Sequence, residues 1–172
     1  SSTDTLQNIK HLLRNKNLIL EKGDMTDISS LIAIITKYKP TRIINCAAMS
    51  HVSVSFKEPI HSLEVTGKGV LNLLEAVRTV NNYYPHIVQF STSELYADQL
   101  SVVNGEQVQN ELTPMIPNSP YAIAKLAGYH YIRLYREAYG MFAANAIIFN
   151  TESERRSEDF VTRKISLWIG RF

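Results

Sequence analysis

The sequence predicts an α/β protein built on a parallel sheet that is flanked by helices. The first observation is that short apolar runs of strand length alternate with longer segments whose apolar residues recur at helical spacing. The second is that small or polar residues cluster after three of the four predicted strands. Because ligands of such sheets bind beyond the carboxyl ends of the strands, chemistry is expected at those clusters.

The first predicted elements are a strand, a helix and a second strand. Asn17–Glu21 is a short apolar run that predicts a buried strand. Thr26–Lys39 has the apolar spacing of a helix, with Asp27 suited to cap its N-terminus and Pro40 suited to end it. Arg42–Ala48 predicts the second strand. A helix between two such strands is typical of a parallel crossover.

The rest of the chain continues this alternation. The remaining predicted elements are a helix over Glu64–Thr79, a strand over His86–Ser91, a helix from Ser119 to Tyr139, a strand over Phe142–Phe149 and a helix over Phe160–Ile169. In the long helix, Ser119 is expected to cap the N-terminus, Pro120 to occupy the first turn, and Gly140 to follow the last turn.

One segment, Leu95–Pro117, has neither helical nor strand periodicity. It contains two prolines and the turn-forming pair Asn104-Gly105. It predicts a long loop beside the expected site. Three interpretations stay open, namely a lid, a small hairpin and a surface insertion.

The composition is that of a globular domain and excludes several classes. The chain has 172 residues, of which 45% are hydrophobic and 20% are charged, which suits one domain with a core. A net charge of +2 does not favour a nucleic-acid partner. No apolar stretch approaches the roughly 20 residues that span a bilayer, so no membrane association is expected. The five histidines lack metal-ligand spacing, and the single cysteine fits a reducing, cytoplasmic setting.

The most informative pair is Tyr121 and Lys125, which share one face of the predicted long helix. An ammonium beside a phenol favours the phenolate and lowers its pKa, so the tyrosine can accept a proton from a sugar hydroxyl. Thr92, at the end of the preceding strand, supplies a hydroxyl that can grip the same substrate oxygen while a nicotinamide takes the hydride. Glu94 lies two residues further along an extended segment and therefore faces the same way.

Several longer runs carry a resemblance to a known family. The most specific are Thr92-Ser93-Glu94, Ser119–Lys125 and Phe160–Lys164, which reads Phe-Val-Thr-Arg-Lys. The chain resembles the GDP-mannose 4,6-dehydratase family, of the extended short-chain dehydrogenase/reductase class, over nearly its whole length. The opening Ser1-Ser2 resembles the end of that family's Arg-Arg-Ser-Ser segment. A dTDP-glucose dehydratase would be expected to show Thr-Asp-Glu, and a UDP-galactose epimerase would lack the glutamate.

The resemblance implies a Rossmann-like fold and the dehydration of GDP-mannose with bound NADP. It implies that Thr92 hydrogen-bonds the sugar O4 and that Tyr121 removes the O4 proton as hydride leaves C4. Lys125 would lower the pKa of Tyr121 and hold the nicotinamide ribose. Glu94 would remove the C5 proton and help to expel the 6-hydroxyl as water.

The same resemblance assigns binding positions. Besides Tyr121 and Lys125, it implies cofactor contacts at Asp24, Met25, Cys46, Ala47, Ala48, Met49, Ser50, His61, Thr151 and Arg156. It implies substrate contacts at Ser50, Thr92, Glu94, Asn150, Val161 and Lys164. It also implies pairing into a homodimer or homotetramer through the long helix.

The chain also departs from the family. Its seven glycines do not form the Gly-x-x-Gly-x-x-Gly turn with which the family begins. Residues 1–172 are therefore expected to be a partial domain, truncated at both ends. It is expected to lack the first βαβ unit and most of the family's C-terminal substrate region, and to show little or no turnover by itself. Ala97 stands where a glycine is expected, Thr151 where a histidine is, and His61 where a tyrosine is. Two alternatives stay open, a related sugar-nucleotide epimerase or dehydratase and a non-catalytic remnant that acts as an interaction domain.

Overall fold

The computed structural model describes residues 6–158 and 160–171. The chain divides into two compact units, Lys22–Phe149 and a second that joins Ser1–Glu21 to Asn150–Phe172. The resemblance noted for Ser1-Ser2 lies outside the described residues. That the whole chain forms one partial domain stays a prediction.

The unit Lys22–Phe149 contains a three-stranded sheet in which every pair is parallel. Its strands are β1 (Arg42–Asn45), β2 (His86–Phe90) and β5 (Ala143–Ala146), in the order β1-β2-β5. Helices connect these strands along the chain. The predicted α/β class, with a parallel sheet flanked by helices, is confirmed.

Two helices of this unit have the capping residues that the sequence predicts. α1 covers Ile28–Tyr38, and the Asp27 carboxylate caps it by accepting from the backbone amide two residues later at 2.9 Å. α5 covers Pro120–Tyr139, and the Ser119 hydroxyl caps it by accepting from an amide of the first turn at 3.1 Å. Gly140 follows with a φ of 63°, in the left-handed region that glycine tolerates. All three predicted end residues are confirmed.

The connection from β1 to β2 contains four helical segments, whereas a single helix was predicted for it. It consists of α2 (Val52–Lys57), α3 (Pro59–Ser62), a π-helix (Leu63–Lys68) and α4 (Gly69–Thr79). The helix predicted over Glu64–Thr79 therefore corresponds to the π-helix and α4, whereas the sequence predicted neither α2 nor α3. Their runs of four and six residues are too short to display a helical apolar period.

The π-helix packs closely on α5. A Cβ added to Gly67 would lie 3.1 Å from the carbonyl oxygen of Ala124, a backbone atom of α5. The close approach of these two backbones leaves little room for a side chain at this point. The sequence does not reveal this contact, because the two residues are far apart along the chain.

The apolar stripe of α4 forms the centre of the core. Val70, Leu73, Leu74 and Val77 recur at helical spacing, and all are buried. The other buried members of this cluster are Ile35, Ala76, Ile87, Ile132, Tyr135 and Ala143. Burying one large aliphatic side chain stabilises a fold by roughly 1.5–3 kcal/mol. This cluster therefore fixes β2 and α5, the two elements that carry the candidate site.

The segment Leu95–Pro117 contains a β-hairpin. β3 (Ser101–Val103) pairs antiparallel with β4 (Glu106–Val108). Asn104 and Gly105 between them have φ values of 52° and 84°, as a two-residue hairpin turn requires. Of the three interpretations of this segment, the hairpin is confirmed, and a role as a lid stays a prediction.

The predicted strand Asn17–Glu21 is wrong. No strand is assigned to these residues, and Ile19 and Leu20 are 61% and 52% exposed. An extended segment becomes a strand only when a neighbour pairs with its backbone amides and carbonyls. Within the described part of the chain, no strand pairs with this segment.

The other three predicted strands end early, by one to three residues. After β1 the Ala47 amide donates to the Asn45 side chain at 3.1 Å rather than to a neighbouring strand. The backbone thus leaves the sheet just where the candidate site begins. The apolar run in the sequence continues past that point. A strand predicted from the run is therefore longer than the strand that pairs in the sheet.

The second unit contains a 3₁₀ helix (Gln7–Leu12) and α6 (Val161–Ile169). α6 confirms the helix predicted for this region, with Phe160 as its N-cap residue. Across both units, no helix in the described part of the chain is long and apolar enough to cross a membrane.

Candidate active site

The end of β2 and the first two turns of α5 carry the four residues predicted to be catalytic. These are Thr92, Glu94, Tyr121 and Lys125, and the structure brings them to one end of the sheet. Among residues 6–158 and 160–171, no group of three or more His, Cys, Asp or Glu side chains could hold a metal ion.

Tyr121 lies in the first turn of α5, and α2 holds its backbone in place. The Ser55 hydroxyl accepts from the Tyr121 amide at 3.2 Å and donates to the Val52 carbonyl at 2.6 Å. Ser55 is fully buried. Because the first amides of a helix have no acceptor within the helix, this hydroxyl satisfies one of them. It thereby fixes the point from which the phenol projects.

Thr92 and Glu94 follow β2 directly. Thr92 is the N-cap of a short 3₁₀ helix, Ser93–Leu95, and its hydroxyl accepts from the Glu94 amide at 3.2 Å. The Thr92 side chain lies close enough to the Tyr121 phenol to lower its pKa, and the Glu94 carboxylate lies close enough to raise it. The hydroxyl, the carboxylate and the phenol therefore form one cluster.

Lys125 lies one helical turn beyond Tyr121 and is only 5% exposed. Its ammonium donates to the carbonyl of Phe90, the last residue of β2, at 2.7 Å. The same nitrogen lies 5.8 Å from the centroid of the Tyr121 ring. Burial lowers the pKa of Lys125 to about 8, and the nearby Cys46 thiol opposes this change.

The pKa of Tyr121 is raised, whereas the Tyr-x-x-x-Lys spacing alone predicts that it is lowered. Burial of the phenol is the largest cause, the Thr92 hydroxyl opposes it, and the Glu94 carboxylate adds to it. The Lys125 ammonium is bonded instead to the Phe90 carbonyl. In this arrangement Tyr121 is held as a neutral phenol.

The loop after β1 carries five positions assigned to the cofactor, which are Cys46, Ala47, Ala48, Met49 and Ser50. Two buried side chains hold its backbone. The Ala47 amide donates to Asn45 Oδ1, and the Met49 amide donates to the Thr66 hydroxyl, both at 3.1 Å. Cys46 and Ser50 are exposed, and the two alanines are half-buried. Small side chains at this point leave the backbone open to close approach by a ligand.

Asp24 and His61, two further cofactor positions, lie near each other. The Asp24 carboxylate accepts from the Thr26 amide at 2.8 Å and from the Thr26 hydroxyl at 2.7 Å. These hydrogen bonds are the main reason that the pKa of Asp24 is lowered, and the His61 imidazole adds to the effect. The adjacent Met25 carbonyl accepts from the Asn72 amide at 2.7 Å. This end of the unit thus presents an exposed, charged carboxylate.

The remaining assigned positions lie in the second unit. They are Asn150, Thr151, Arg156, Val161 and Lys164. The structure brings two of them together, because Arg156 donates to the Thr151 carbonyl at 2.9 Å. Asn150, Val161 and Lys164 are exposed. The binding roles of all five stay predictions.

Two residues that hold the site in place were not identified from the sequence. Ser55 fixes the start of α5, and Thr66 fixes the loop after β1. Both side chains are buried. Serine and threonine are common on protein surfaces, so a single sequence offers no signal that these two are buried.

Comparison with known proteins shows which family the chain resembles. Residues 1–172 match the family model described as GDP-mannose 4,6 dehydratase. The GDP-mannose 4,6 dehydratase of Drosophila melanogaster is 46% identical over 173 residues, which cover 96% of this chain and 42% of that protein. The chain therefore spans less than half the length of this relative.

Two solved structures share the fold. RMD from Pseudomonas aeruginosa, complexed with NADPH, has a TM-score of 0.80 at 21% identity and covers 95% of this chain and 56% of that one. UDP-glucose 4-epimerase from Thermus thermophilus, in complex with NAD, has a TM-score of 0.75 at 28% identity and covers 89% and 48%. At its level of identity, the first likeness concerns the fold alone.

Proposed function

The chain belongs to the GDP-mannose 4,6-dehydratase family, and on that premise we propose that it carries the catalytic centre that converts GDP-mannose to GDP-4-keto-6-deoxymannose. The proposed reaction oxidises C4, eliminates water across C5 and C6, and reduces C6 with bound NADP. The observation that carries this proposal is the clustering of Thr92, Glu94 and Tyr121 after β2, with Lys125 one helical turn away.

The residues at this end of the sheet fit a nicotinamide dinucleotide. Lys125 supplies a buried ammonium that can donate to ribose hydroxyls, and Asp24 supplies an exposed carboxylate that can accept from a ribose or an adenine. Ala47 and Ala48 leave the end of β1 open to close approach by a pyrophosphate. When bound, the cofactor supplies the acceptor and the donor of the hydride. The choice of NADP over NAD is part of the proposal.

Thr92 and Tyr121 would act at the sugar O4. The Thr92 hydroxyl holds this oxygen by a hydrogen bond, and Tyr121 accepts its proton. The raised pKa of Tyr121 opposes that transfer as long as the Lys125 ammonium stays on the Phe90 carbonyl. The flexible lysine side chain can swing its ammonium toward the phenol, and this would lower the pKa of Tyr121.

Glu94 would act in the elimination. A ketone at C4 makes the C5 hydrogen acidic, and the carboxylate then takes this proton. Glu94 passes the proton to O6, which leaves as water while the C5–C6 double bond forms. An epimerase that only inverts C4 does not remove the C5 proton, so it needs no such carboxylate. Glu94 therefore favours a dehydratase over an epimerase.

The proposal includes pairing into a homodimer or homotetramer through α5, in a reducing cytoplasmic setting that keeps Cys46 as a thiol. Ile123 and Leu134 are 53% and 50% exposed and lie about three helical turns apart on one face of α5. A second copy that covers this face would remove both from water. Sedimentation of the chain should show an oligomer that Leu134→Glu dissociates, and a wild-type monomer would contradict this pairing.

The catalytic proposal can be tested by placing the chain inside a longer relative. We would replace the matching segment of the Drosophila melanogaster relative with this chain and follow the 4-keto-6-deoxy product from GDP-mannose and NADP. We expect turnover, and we expect Tyr121→Phe and Glu94→Gln each to lower kcat about 100-fold or more. Tyr84→Phe and Glu106→Gln change exposed residues of the same types and serve as matched controls.

Isotope exchange separates the step assigned to Glu94 from the others. In D₂O the product should carry deuterium at C5, because C5 loses its proton and regains one from an exchangeable site. Glu94→Gln should lose both this deuterium and the product. A folded chimera that binds NADP but turns over only another sugar nucleotide would favour a related epimerase or dehydratase. A folded chimera that neither binds NADP nor turns over a sugar nucleotide would favour the non-catalytic alternative.

A further inference from the structure

Two amide side chains are buried in the apolar strands that lead to the site. Asn45 ends β1 and is 5% exposed, and Gln89 lies beside it on β2 and is 2% exposed. A buried amide destabilises a fold unless both its oxygen and its nitrogen are hydrogen-bonded. The contacts of this pair should therefore reveal why polar residues occupy these positions.

The orientation of both amides is determined by their partners. The backbone amide of Ala47 can only donate, so Oδ1 of Asn45 must face it, at 3.1 Å. Nδ2 of Asn45 then donates to Oε1 of Gln89 at 2.7 Å. This leaves Nε2 of Gln89 to donate to the Phe90 carbonyl, which can only accept, at 3.0 Å. No flipped arrangement satisfies these partners.

The chain of hydrogen bonds ends at the buried lysine. The Phe90 carbonyl that accepts from Gln89 also accepts from the Lys125 ammonium, at 2.7 Å. A carbonyl oxygen has two lone pairs, and occupation of one by Gln89 fixes the direction of the other. Hydrogen bonds in such a series polarise one another, so a change at one end is felt at the other.

We propose that Gln89 is a positioning residue that couples Lys125 to the loop after β1 through an amide relay, made up of the Ala47 amide, Asn45, Gln89 and the Phe90 carbonyl. Its value for catalysis rests on the proposed function, in which the loop and Lys125 hold the same cofactor. The relay ties the placement of the ammonium to the position of that loop. It thereby defines the resting place from which Lys125 moves toward Tyr121.

The sheet offers a matched control. Asn145 of β5 stands in register with Gln89, in the same row of the sheet. Its Nδ2 donates to the carbonyl of Tyr129 in α5, at 3.1 Å, and not to a member of the relay. Replacing either residue with methionine removes an amide from the same row, but only Gln89→Met interrupts the relay.

The test follows the Ala47 amide by NMR of the labelled 172-residue chain during a pH titration. Cys46→Ala is the background, because Cys46 is the immediate neighbour of Ala47 in the chain. We expect the Ala47 amide shift to change with the midpoint measured at the Lys125 side chain in the same titration. Gln89→Met should abolish the response at Ala47 while Lys125 still titrates, and Asn145→Met should leave it unchanged.

A second variant keeps the test decisive if Gln89→Met does not fold. Lys125→Met leaves every group of the relay in place, and it should also remove the response at Ala47. Two results would refute the relay. In one, the Ala47 amide shift does not change at the Lys125 midpoint in the Cys46→Ala chain, and in the other it changes there equally when Gln89→Met is added. This experiment needs no turnover, so its failure is distinct from failure of the proposed function. In an active chimera, Gln89→Met should lower kcat about tenfold with KM unchanged, whereas Asn145→Met should not.

Discussion

Lys125 is buried with its charge, and replacing it by methionine should stabilise the chain at neutral pH. Methionine fills much the same volume without an ammonium. In the folded chain, burial lowers the pKa of Lys125 from 10.5 to about 8. The folded state therefore disfavours the charged form, and the unfolded state does not. Lys125→Met removes this unfavourable term.

The shift in the pKa of Lys125 determines both the size and the sign of the change in stability that Lys125→Met causes. The difference between 10.5 and about 8 corresponds to about 3 kcal/mol. Below pH 8 the lysine is protonated in both states, and the full cost of burying the ammonium applies. Between pH 8 and 10.5 the unfolded chain binds a proton that the folded chain has released, so wild-type stability rises with pH. The advantage of Lys125→Met should therefore be largest at pH 7 and should shrink by about 3 kcal/mol by pH 10.5.

The assay is urea unfolding, followed by circular dichroism at pH 7, 8, 9 and 10 for both proteins. Taking the difference between them cancels the other groups that titrate in this range. Lys57→Met is the matched control, because Lys57 is exposed. It shows what the loss of an exposed lysine does to stability over the same pH range. Parallel stability curves for Lys125→Met and wild type would refute the claim that the ammonium is buried at an energetic cost.

Two further predictions concern packing and charge. Gly67→Ala should lower the free energy of unfolding by about 1–2 kcal/mol, because the new Cβ meets the Ala124 carbonyl oxygen at 3.1 Å and the backbone of α5 cannot yield. Gly170→Ala, whose Cβ would meet nothing closer than 3.4 Å, should have little effect in the same urea titration, and equal losses would contradict this reasoning. Glu75 accepts from Arg78 and from the Tyr135 hydroxyl, and these hydrogen bonds lower its pKa. Glu75→Gln should therefore destabilise the chain by roughly 1 kcal/mol at pH 7, and the loss should vanish as acid protonates the carboxylate. The exposed Glu137→Gln serves as control for the thermal melts, and a loss that persists in acid would count against the assignment.

The features that the sequence predicted well depend on local chemistry. Asp27 and Ser119 cap their helices with an oxygen that reaches an amide only two or three residues away. Gly140 ends α5 through its own backbone freedom. Tyr121 and Lys125 share a face because of helical spacing. In each case the partner lies within the same few residues, so a single sequence contains the information.

The features that it missed depend on distant partners. Asn17–Glu21 has the composition of a strand, but pairing requires a neighbour that composition does not supply. The acceptor of Lys125 is a backbone carbonyl at Phe90, and no side chain there signals it. The spacing of Tyr121 and Lys125 predicted a lowered phenol pKa, yet burial of the phenol, to which the Glu94 carboxylate adds, reverses the direction. The cluster of Thr92, Glu94 and Tyr121 was predictable as a group, but its electrostatics were not.

The π-helix Leu63–Lys68 limits how this chain can change in length over evolution. A π-helical turn holds one residue more than an α-helical turn. Deleting that residue would let the segment relax and would rotate α4 by about 100° against α3. Leu74 would then point away from the interior, and Thr66 would lose the Met49 amide. Homologous chains should therefore accumulate insertions and deletions at the hairpin of β3 and β4, while this short stretch keeps a constant number of residues.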